Sequence, residues 1–255
     1  MNYFFPYVSV IIPVYNDCKK LKICLKALAS QSYPKSQYEI IVVDNNSEQD
    51  IQEVVNQFEP VVFTYEKKRG SYAARNKGIS IAKGEILAFT DSDCIPAPQW
   101  LQMGVKRLLD LPSLGVVGGK IDIFFRDPKH PTAVEIYDKT QNLQQETYIN
   151  KYHWGATANL FTFKEVFENI GMFNADLKSG GDSEWGLRAF SDGYPIVYTD
   201  QACVAHPARY SLAQFYKKSI RVSQGRVDRN QLTGFQYSLK YFILNLKPSL
   251  RIAYR

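Results

Sequence analysis

Ile86-Leu87-Ala88-Phe89-Thr90-Asp91-Ser92-Asp93 places two carboxylates, one residue apart, at the end of an apolar run that opens after Gly84-Glu85. A short uncharged run of this kind reads as a β-strand covered on both faces. Its acidic end then lies at the rim of a sheet, where packing has no use for charge. Hard divalent cations take one or two protein carboxylates and complete their shell with water and substrate phosphates. The stretch therefore points to a parallel-sheet protein with a metal–diphosphate site at the strand ends.

Working outward, strand-like and helix-like segments alternate. Val8–Val14 is a β-branched run. Asp17–Gln31 carries Leu21, Cys24, Leu25 and Leu28 at helical spacing, and Pro34 stops it. Tyr38–Val43 reads as a second strand, followed by a helix to Phe58 with Asn46 or Ser47 as its cap. Val61–Tyr65 is a third strand. Ser71–Lys83 is a helix ended by Gly84. This alternation implies βαβ units and a mostly parallel sheet. Ligands of such sheets sit outside the carboxyl ends of the strands, where Asn16, Asp44 and the Asp91/Asp93 pair each follow a different strand. Beyond them a helix is expected over Trp100–Leu109 and a strand over Gly115–Ile123. Asp127–Pro131 is a cluster of breakers. A strand or loop covers His153–Phe163, followed by a short helix ending at Gly171. Ser183–Ser191 is a helix after Gly180-Gly181, and Ile196–Ala205 a strand.

The 255 residues are 45% hydrophobic and 22% charged, enough for one sizeable core, with or without an appendage, and too apolar for a disordered chain. Cys18, Cys24, Cys94 and Cys203 show no C-x-x-C spacing, which excludes a zinc ribbon or dense disulfide framework and favours free thiols in a reducing compartment. Met1–Pro6 lacks the pattern of a signal peptide, and no window reads as a membrane span. The basicity is local: from Pro207 to Arg255 ten Lys and Arg face one acid, Asp228. Within that tail Tyr210–Arg229 and Tyr237–Tyr254 mix basic with aromatic and aliphatic residues, a composition suited to an anionic membrane surface or to packing on protein. No recognisable binding module accompanies the charge, so nucleic acid is not an expected partner.

The ordered segments Ile12-Pro13-Val14-Tyr15-Asn16, Val42-Val43-Asp44-Asn45-Asn46-Ser47, Ala73-Ala74-Arg75-Asn76-Lys77-Gly78 and Asp91-Ser92-Asp93 resemble the motifs of family 2 glycosyltransferases. The likeness continues through Gly155–Phe173, Gly180–Arg188 and His206. It implies the GT-A fold, a Rossmann-like α/β sheet flanked by helices over residues 1–206. The nucleotide-binding half would span about 1–95 and the acceptor half about 96–206, with 207–255 as a basic helical tail. It also implies inverting transfer from a nucleotide sugar, UDP- or dTDP-type, to a hydroxyl of a carbohydrate or lipid-linked acceptor with Mn²⁺ or Mg²⁺. The setting would be cytoplasmic, at the inner face of a membrane that the tail touches.

Carried over residue by residue, the resemblance makes Asp44 the acceptor for the base N3–H, although by position alone it fits a turn or cap equally well. Pro13, Tyr15, Asn16, Asn46 and Ser92 would line the nucleotide. Arg75 would hold diphosphate oxygens or an aspartate. Asp93 would hold the cation with His206, and Asp91, the second choice as metal ligand, would otherwise reach the ribose or act through water. Asp182 matches the base that deprotonates the acceptor. Gly181 departs from the pattern, standing where a Glu is usual, so Glu184 is the runner-up; yet its four-residue spacing from Arg188 suits a helix-surface pair. Trp154, Asn159 and Trp185 would face the acceptor. Two other readings stay open. A sugar nucleotidyltransferase would show a Gly-rich loop where this chain has Pro13–Asp17. A catalytically silent nucleotide-binding scaffold would use the tail for assembly.

Overall fold

The computed structural model describes the backbone of residues 5–230 and the side chains of residues 5–225. The expected second tail segment, Tyr237–Tyr254, lies outside the described residues.

The first half is built as its runs dictate: β1 (Val8–Val14), α1 (Cys18–Ala29), β2 (Tyr38–Asp44), α2 (Ile51–Val55), β3 (Val61–Tyr65), α3 (Ser71–Ile81) and β4 (Ile86–Thr90). After the two-residue β5 (Ile95–Pro96) come α4 (Trp100–Leu109), β6 (Val116–Phe124), α5 (Ala133–Gln141), α6 (Gln145–Tyr152) and β7 (Asn159–Phe163). The described chain closes with α7 (Lys164–Ile170), α8 (Gly181–Ser191), β8 (Ile196–Pro207) and α9 (Leu212–Asn230).

One eight-stranded sheet runs in the order β3-β2-β1-β4-β7-β6-β8-β5. Strands β1 to β4 pair in parallel, β6 and β8 likewise, while β7 and β5 run antiparallel to their neighbours. The expected mostly parallel sheet is therefore present. All seven residues of β1 are buried because helices cover both faces. Alternate side chains serve opposite cores, as a period of two requires. Val8, Val10 and Ile12 pack with Leu21, Leu25, Trp100 and Leu108 from α1 and α4. Ile11 faces Tyr72, Ala74, Phe167 and Trp185 from α3, α7 and α8. Gly78 lets α3 press close, since a Cβ there would lie 2.5 Å from the Ile11 side chain.

One expectation is corrected, and one stretch without an expectation is filled. The helix expected from Asn46 or Ser47 to Phe58 starts instead at Asp50, whose side chain accepts the Glu53 N–H, and ends at Val55. Asn46 has φ 65°, and Asn16 holds the following loop by accepting from the N–H groups of Glu48 and Gln49, so helical backbone cannot begin there. The span between the breaker cluster and His153 holds two helices. The first opens with a Thr132–Glu135 capping box.

Among the described residues no helix is long and apolar enough to cross a membrane. The start of α9 is anchored on the domain. Phe215 meets Tyr137 edge to face at 5.3 Å, Ser219 and Ser223 are buried, and a Cβ on Gly225 would lie 2.3 Å from the Ser179 carbonyl.

Candidate active site

A cleft of about 960 Å³ opens at the carboxyl ends of β1 and β4. Its floor and walls bring together Pro13, Tyr15, Arg75, Asp91, Ser92, Asp93, Trp154, Asp182 and His206, residues spread over nearly two hundred positions. Strand register explains the convergence. Val14 is level with Asp44, and Ile11 with Phe89, so β1, β2 and β4 deliver their following residues to one rim.

The acidic pair divides its work. Asp91 Oδ1 receives Arg75 Nη2 at 2.5 Å. Arg75 is 3% exposed, and its Nε has no hydrogen-bond partner among the described residues. A buried guanidinium N–H without an acceptor is costly, and the ion pair to Asp91 offsets that cost. Asp93 faces Lys20 Nζ at 3.7 Å and His206 Nε2 at 3.6 Å.

His206 is oriented by its other nitrogen, which lies 2.9 Å from the Pro207 carbonyl. A carbonyl only accepts, so Nδ1 carries a proton and Nε2 is the nitrogen turned toward Asp93. A carboxylate oxygen and an imidazole nitrogen facing each other across 3.6 Å are donor atoms that a divalent cation takes. Cys94 Sγ completes a cluster within 4.8 Å of these atoms. Burial holds its thiol well above the ordinary range and it points at the Ala158 carbonyl. The oxygen and nitrogen donors of Asp93 and His206 thus fit a divalent cation, whereas Cys94 stays a buried thiol.

Asp182 sits in the first turn of α8 and lines the same cleft. Burial raises its pKa above the ordinary carboxylate value, against the lowering effect of Arg75, the Ser183 N–H and the Tyr72 hydroxyl. Tyr72 donates at 3.1 Å and the Ser183 N–H at 3.0 Å, both to Oδ1. Burial and the Asp182 charge push the Tyr72 phenol up, so it stays a donor. The departure at Gly181 has a steric cause: a Cβ there would lie 2.8 Å from the Tyr72 ring.

Six sequence-nominated residues do not line the cleft. Glu184 is held by Arg188 at 2.7 Å on the side of α8, the helix-surface pair its spacing suggested, and is removed from the cleft chemistry. Trp185 is fully buried, stacked on Phe167 at 4.3 Å, with its Nε1 on the Gly171 carbonyl. Asn159 is equally buried. It donates to the Lys120 and Ala202 carbonyls and accepts from Trp100 Nε1, filling the irregularity between Gly119 and Lys120 where β6 meets β8. Neither can face an acceptor, and that expectation is withdrawn for both. Asn16 and Asn46 are loop residues: Asn16 accepts from two backbone N–H groups and Asn46 accepts from the Tyr65 hydroxyl. Asp44 is 8% exposed at the cleft margin, with Oδ1 accepting the Ser47 N–H.

Other contributors escaped the sequence reading. Asn45 lines the cleft and ties down the 66–70 loop through the Glu66 and Lys68 carbonyls and the Gly70 N–H. Arg69 lies over the Tyr15 ring at 5.0 Å. Tyr148 stacks on Trp154 at 4.3 Å, making one wall aromatic. The segment expected to form a separate tail supplies Arg209, Lys218 and Arg221 to the cleft.

The comparisons agree with this architecture. The family model described as "Glycosyl transferase family 2" matches residues 9–171. Glycosyltransferase AglE of Haloferax volcanii is 41% identical over 227 residues, covering 87% of this chain and 73% of that protein. A Methanococcus voltae enzyme, dolichyl N-acetyl-alpha-D-glucosaminyl phosphate 3-beta-D-2,3-diacetamido-2,3-dideoxy-beta-D-glucuronosyltransferase, is 25% identical over 228 residues, covering 84% of this chain and 71% of that one. Among solved structures, the mannosyltransferase PcManGT of Pyrobaculum calidifontis, in complex with GDP-Man and Mn²⁺, superposes with a TM-score of 0.68 at 22% identity, covering 95% of this chain and 70% of that one. The cleft, the fold around it and the family match converge: the chain belongs to glycosyl transferase family 2 and is a glycosyltransferase of the GT-A fold.

Proposed function

We propose that this enzyme is an inverting glycosyltransferase that moves a sugar from a UDP- or dTDP-linked donor to a hydroxyl of a lipid-linked saccharide acceptor. The observation that carries the reading is that Asp182 and the Asp93–His206 pair line one cleft, with the buried Arg75 paired to Asp91 and acting on Asp182. The named acceptor of the Methanococcus relative is a dolichyl phosphate glycan, and the Pyrobaculum neighbour holds a nucleotide sugar with Mn²⁺. Both support the substrate classes.

Asp93 and His206 would hold the divalent cation, manganese or magnesium. When bound, such an ion neutralises charge growing on a departing nucleoside diphosphate. The chain's own residues do the rest. Asp182 takes the proton of the acceptor hydroxyl as that oxygen bonds to the anomeric carbon and the bond from that carbon to the diphosphate breaks. Burial raises the proton affinity of Asp182, which suits a general base, and Tyr72 and Ser183 fix its orientation. Arg75 holds Asp91 in place at the cleft. Inversion is what membership of the family implies: with Asp182 as base the acceptor oxygen displaces the diphosphate in one step, and one displacement inverts configuration. Trp154, backed by Tyr148, offers a flat face to an acceptor sugar. Asp44 keeps one oxygen for a pyrimidine N3–H while the other holds Ser47. Leu212, 72% exposed, and Tyr216 at the start of α9 suit contact with the bilayer that carries the acceptor.

A thermal-shift panel of UDP, dTDP and GDP and their sugars with Mn²⁺ tests the donor, because a ligand that binds only the folded state raises its stability with concentration. Uridine or thymidine diphosphates should give the largest shift; a response confined to GDP would overturn the assigned base. Proton NMR of the product gives the anomeric outcome, and retention would overturn the single displacement.

A further inference from the structure

A fully buried carboxylate, Asp138 on α5, stands behind the cleft wall formed by the segment after β8 and by α9. It accepts from Arg209 Nη1 at 3.1 and 3.2 Å, from the Arg209 backbone N–H at 3.1 Å, and from Asn142 Nδ2 at 2.8 Å. Those donors occupy its lone pairs. Lys218 Nζ remains 3.8 Å away, beyond hydrogen-bond reach, on a side chain 17% exposed. One carboxylate therefore serves two cations. Arg221, one turn further along α9, adds a third to the same cleft, and Lys178 a fourth from the loop before α8. The charges facing Lys218 are Asp138 from α5, Arg209 from the segment after β8 and Arg221 from its own helix. This wall is rigid, being pinned by Phe215 on Tyr137 and by Gly225 on Ser179. Arg209 and Lys218 are half-buried beside a single carboxylate while Arg221 and Lys178 are exposed, so this wall presents an excess of positive charge.

We infer that Arg209, Lys218 and Arg221 form a phosphoryl-anion site in the cleft wall, separate from the Asp93–His206 pair, which takes either the diphosphate of the donor or the phosphate of a lipid-linked acceptor. The inference rests on the proposal that this cleft binds both substrates. Burial first, then repulsion from Arg209 and Arg221, lowers the Lys218 pKa to about 7 against the attraction of Asp138. An arriving anion stabilises the ammonium, so the bound pKa is higher than the free one. Binding between those two values takes up a proton, and affinity falls as pH rises above about 7.

Isothermal titration at pH 7.5, in two buffers of different ionisation enthalpy, reads both effects on the full chain. The probes are inorganic pyrophosphate, UDP with Mn²⁺, and farnesyl phosphate added to protein saturated with UDP and Mn²⁺. The inference expects proton uptake by the wild type with at least one probe. For that probe Lys218→Met should abolish the uptake and weaken binding by about tenfold or more, the scale of a hydrogen bond to a charged group. Arg221→Gln, at an exposed position, should weaken the same probe and guards against misfolding of the first variant. Loss in the UDP arm identifies the donor diphosphate; loss in the farnesyl phosphate arm identifies the acceptor. Loss with pyrophosphate when UDP fails to bind supports the anion site while refuting the proposed donor. Unchanged affinity and proton count for every probe, or a wild type that binds none of them, overturns the inference.

Discussion

Replacing Asp182 by Asn removes a charge and almost no volume, so its consequences separate catalysis from folding. As the proposed general base the carboxylate would contribute about 10²–10⁴-fold in rate, and Asp182→Asn should lose that much turnover while nucleotide binding persists. Stability should move the other way. The folded-state pKa is raised by burial, so the folded protein resists ionising this group more than the unfolded chain does. A group raised in this way contributes stability below its unfolded value of about 3.9, and the contribution is lost as pH rises through the folded value. At pH 7.5 the wild type therefore carries the cost of a buried anion, only partly offset by Arg75, Ser183 and Tyr72. The Asn variant should melt at or above the wild-type temperature at pH 7.5. The difference should shrink as pH falls toward about 4, where both states of the wild type become protonated. The assay is differential scanning fluorimetry across that range beside product formation with the donor identified by the nucleotide panel. Wild-type turnover by Asp182→Asn, or a variant that melts lower than wild type at neutral pH, would refute the assignment.

Tyr72→Phe keeps the ring that fills the space beside Gly181 but removes the hydroxyl that favours ionised Asp182. The acid limb of kcat/KM should shift to higher pH, with activity recovering on the alkaline side; an unmoved limb would mean Tyr72 does not touch the base. Asn159→Ala strips partners from the Lys120 and Ala202 carbonyls and from the Trp100 indole. At about 1–3 kcal/mol for a buried group left unsatisfied, it should lower unfolding free energy by several kcal/mol in urea while the surviving folded protein binds nucleotide normally. A neutral effect on stability would restore Asn159 as a candidate ligand contact.

Strands β1, β2 and β4 were legible because a strand buried on both faces writes itself as a run of apolar residues, and Ile86–Thr90 is such a run. Asp91 and Asp93 stood out for the matching reason: charge directly after such a run has no packing role. What stayed hidden depends on partners distant in sequence. Asn159 is legible only once Gly119 and Ala202 are known to meet at an irregular β6–β8 pairing. The burial of Trp185 depends on the face of α8 that meets Phe167. Tyr72, three residues before Arg75, gave no sign that its hydroxyl would reach Asp182 across more than a hundred positions. The Thr132–Glu135 capping box was readable locally but was masked by the breakers before it. The place of Arg209 and Lys218 at the cleft stayed hidden because the composition of a basic tail cannot reveal the buried Asp138 that pairs with them.

The central claim is that Asp93 and His206 hold a divalent cation against the donor's diphosphate. Pulsed electron paramagnetic resonance of Mn²⁺ bound to the protein with UDP tests it most directly, because the spectrum reports the nuclei around the metal. The account expects phosphorus couplings from the diphosphate together with a nitrogen coupling from one imidazole, the nitrogen signal vanishing in His206→Ala. A wild-type spectrum without imidazole nitrogen, or one left unchanged by that substitution, would contradict it.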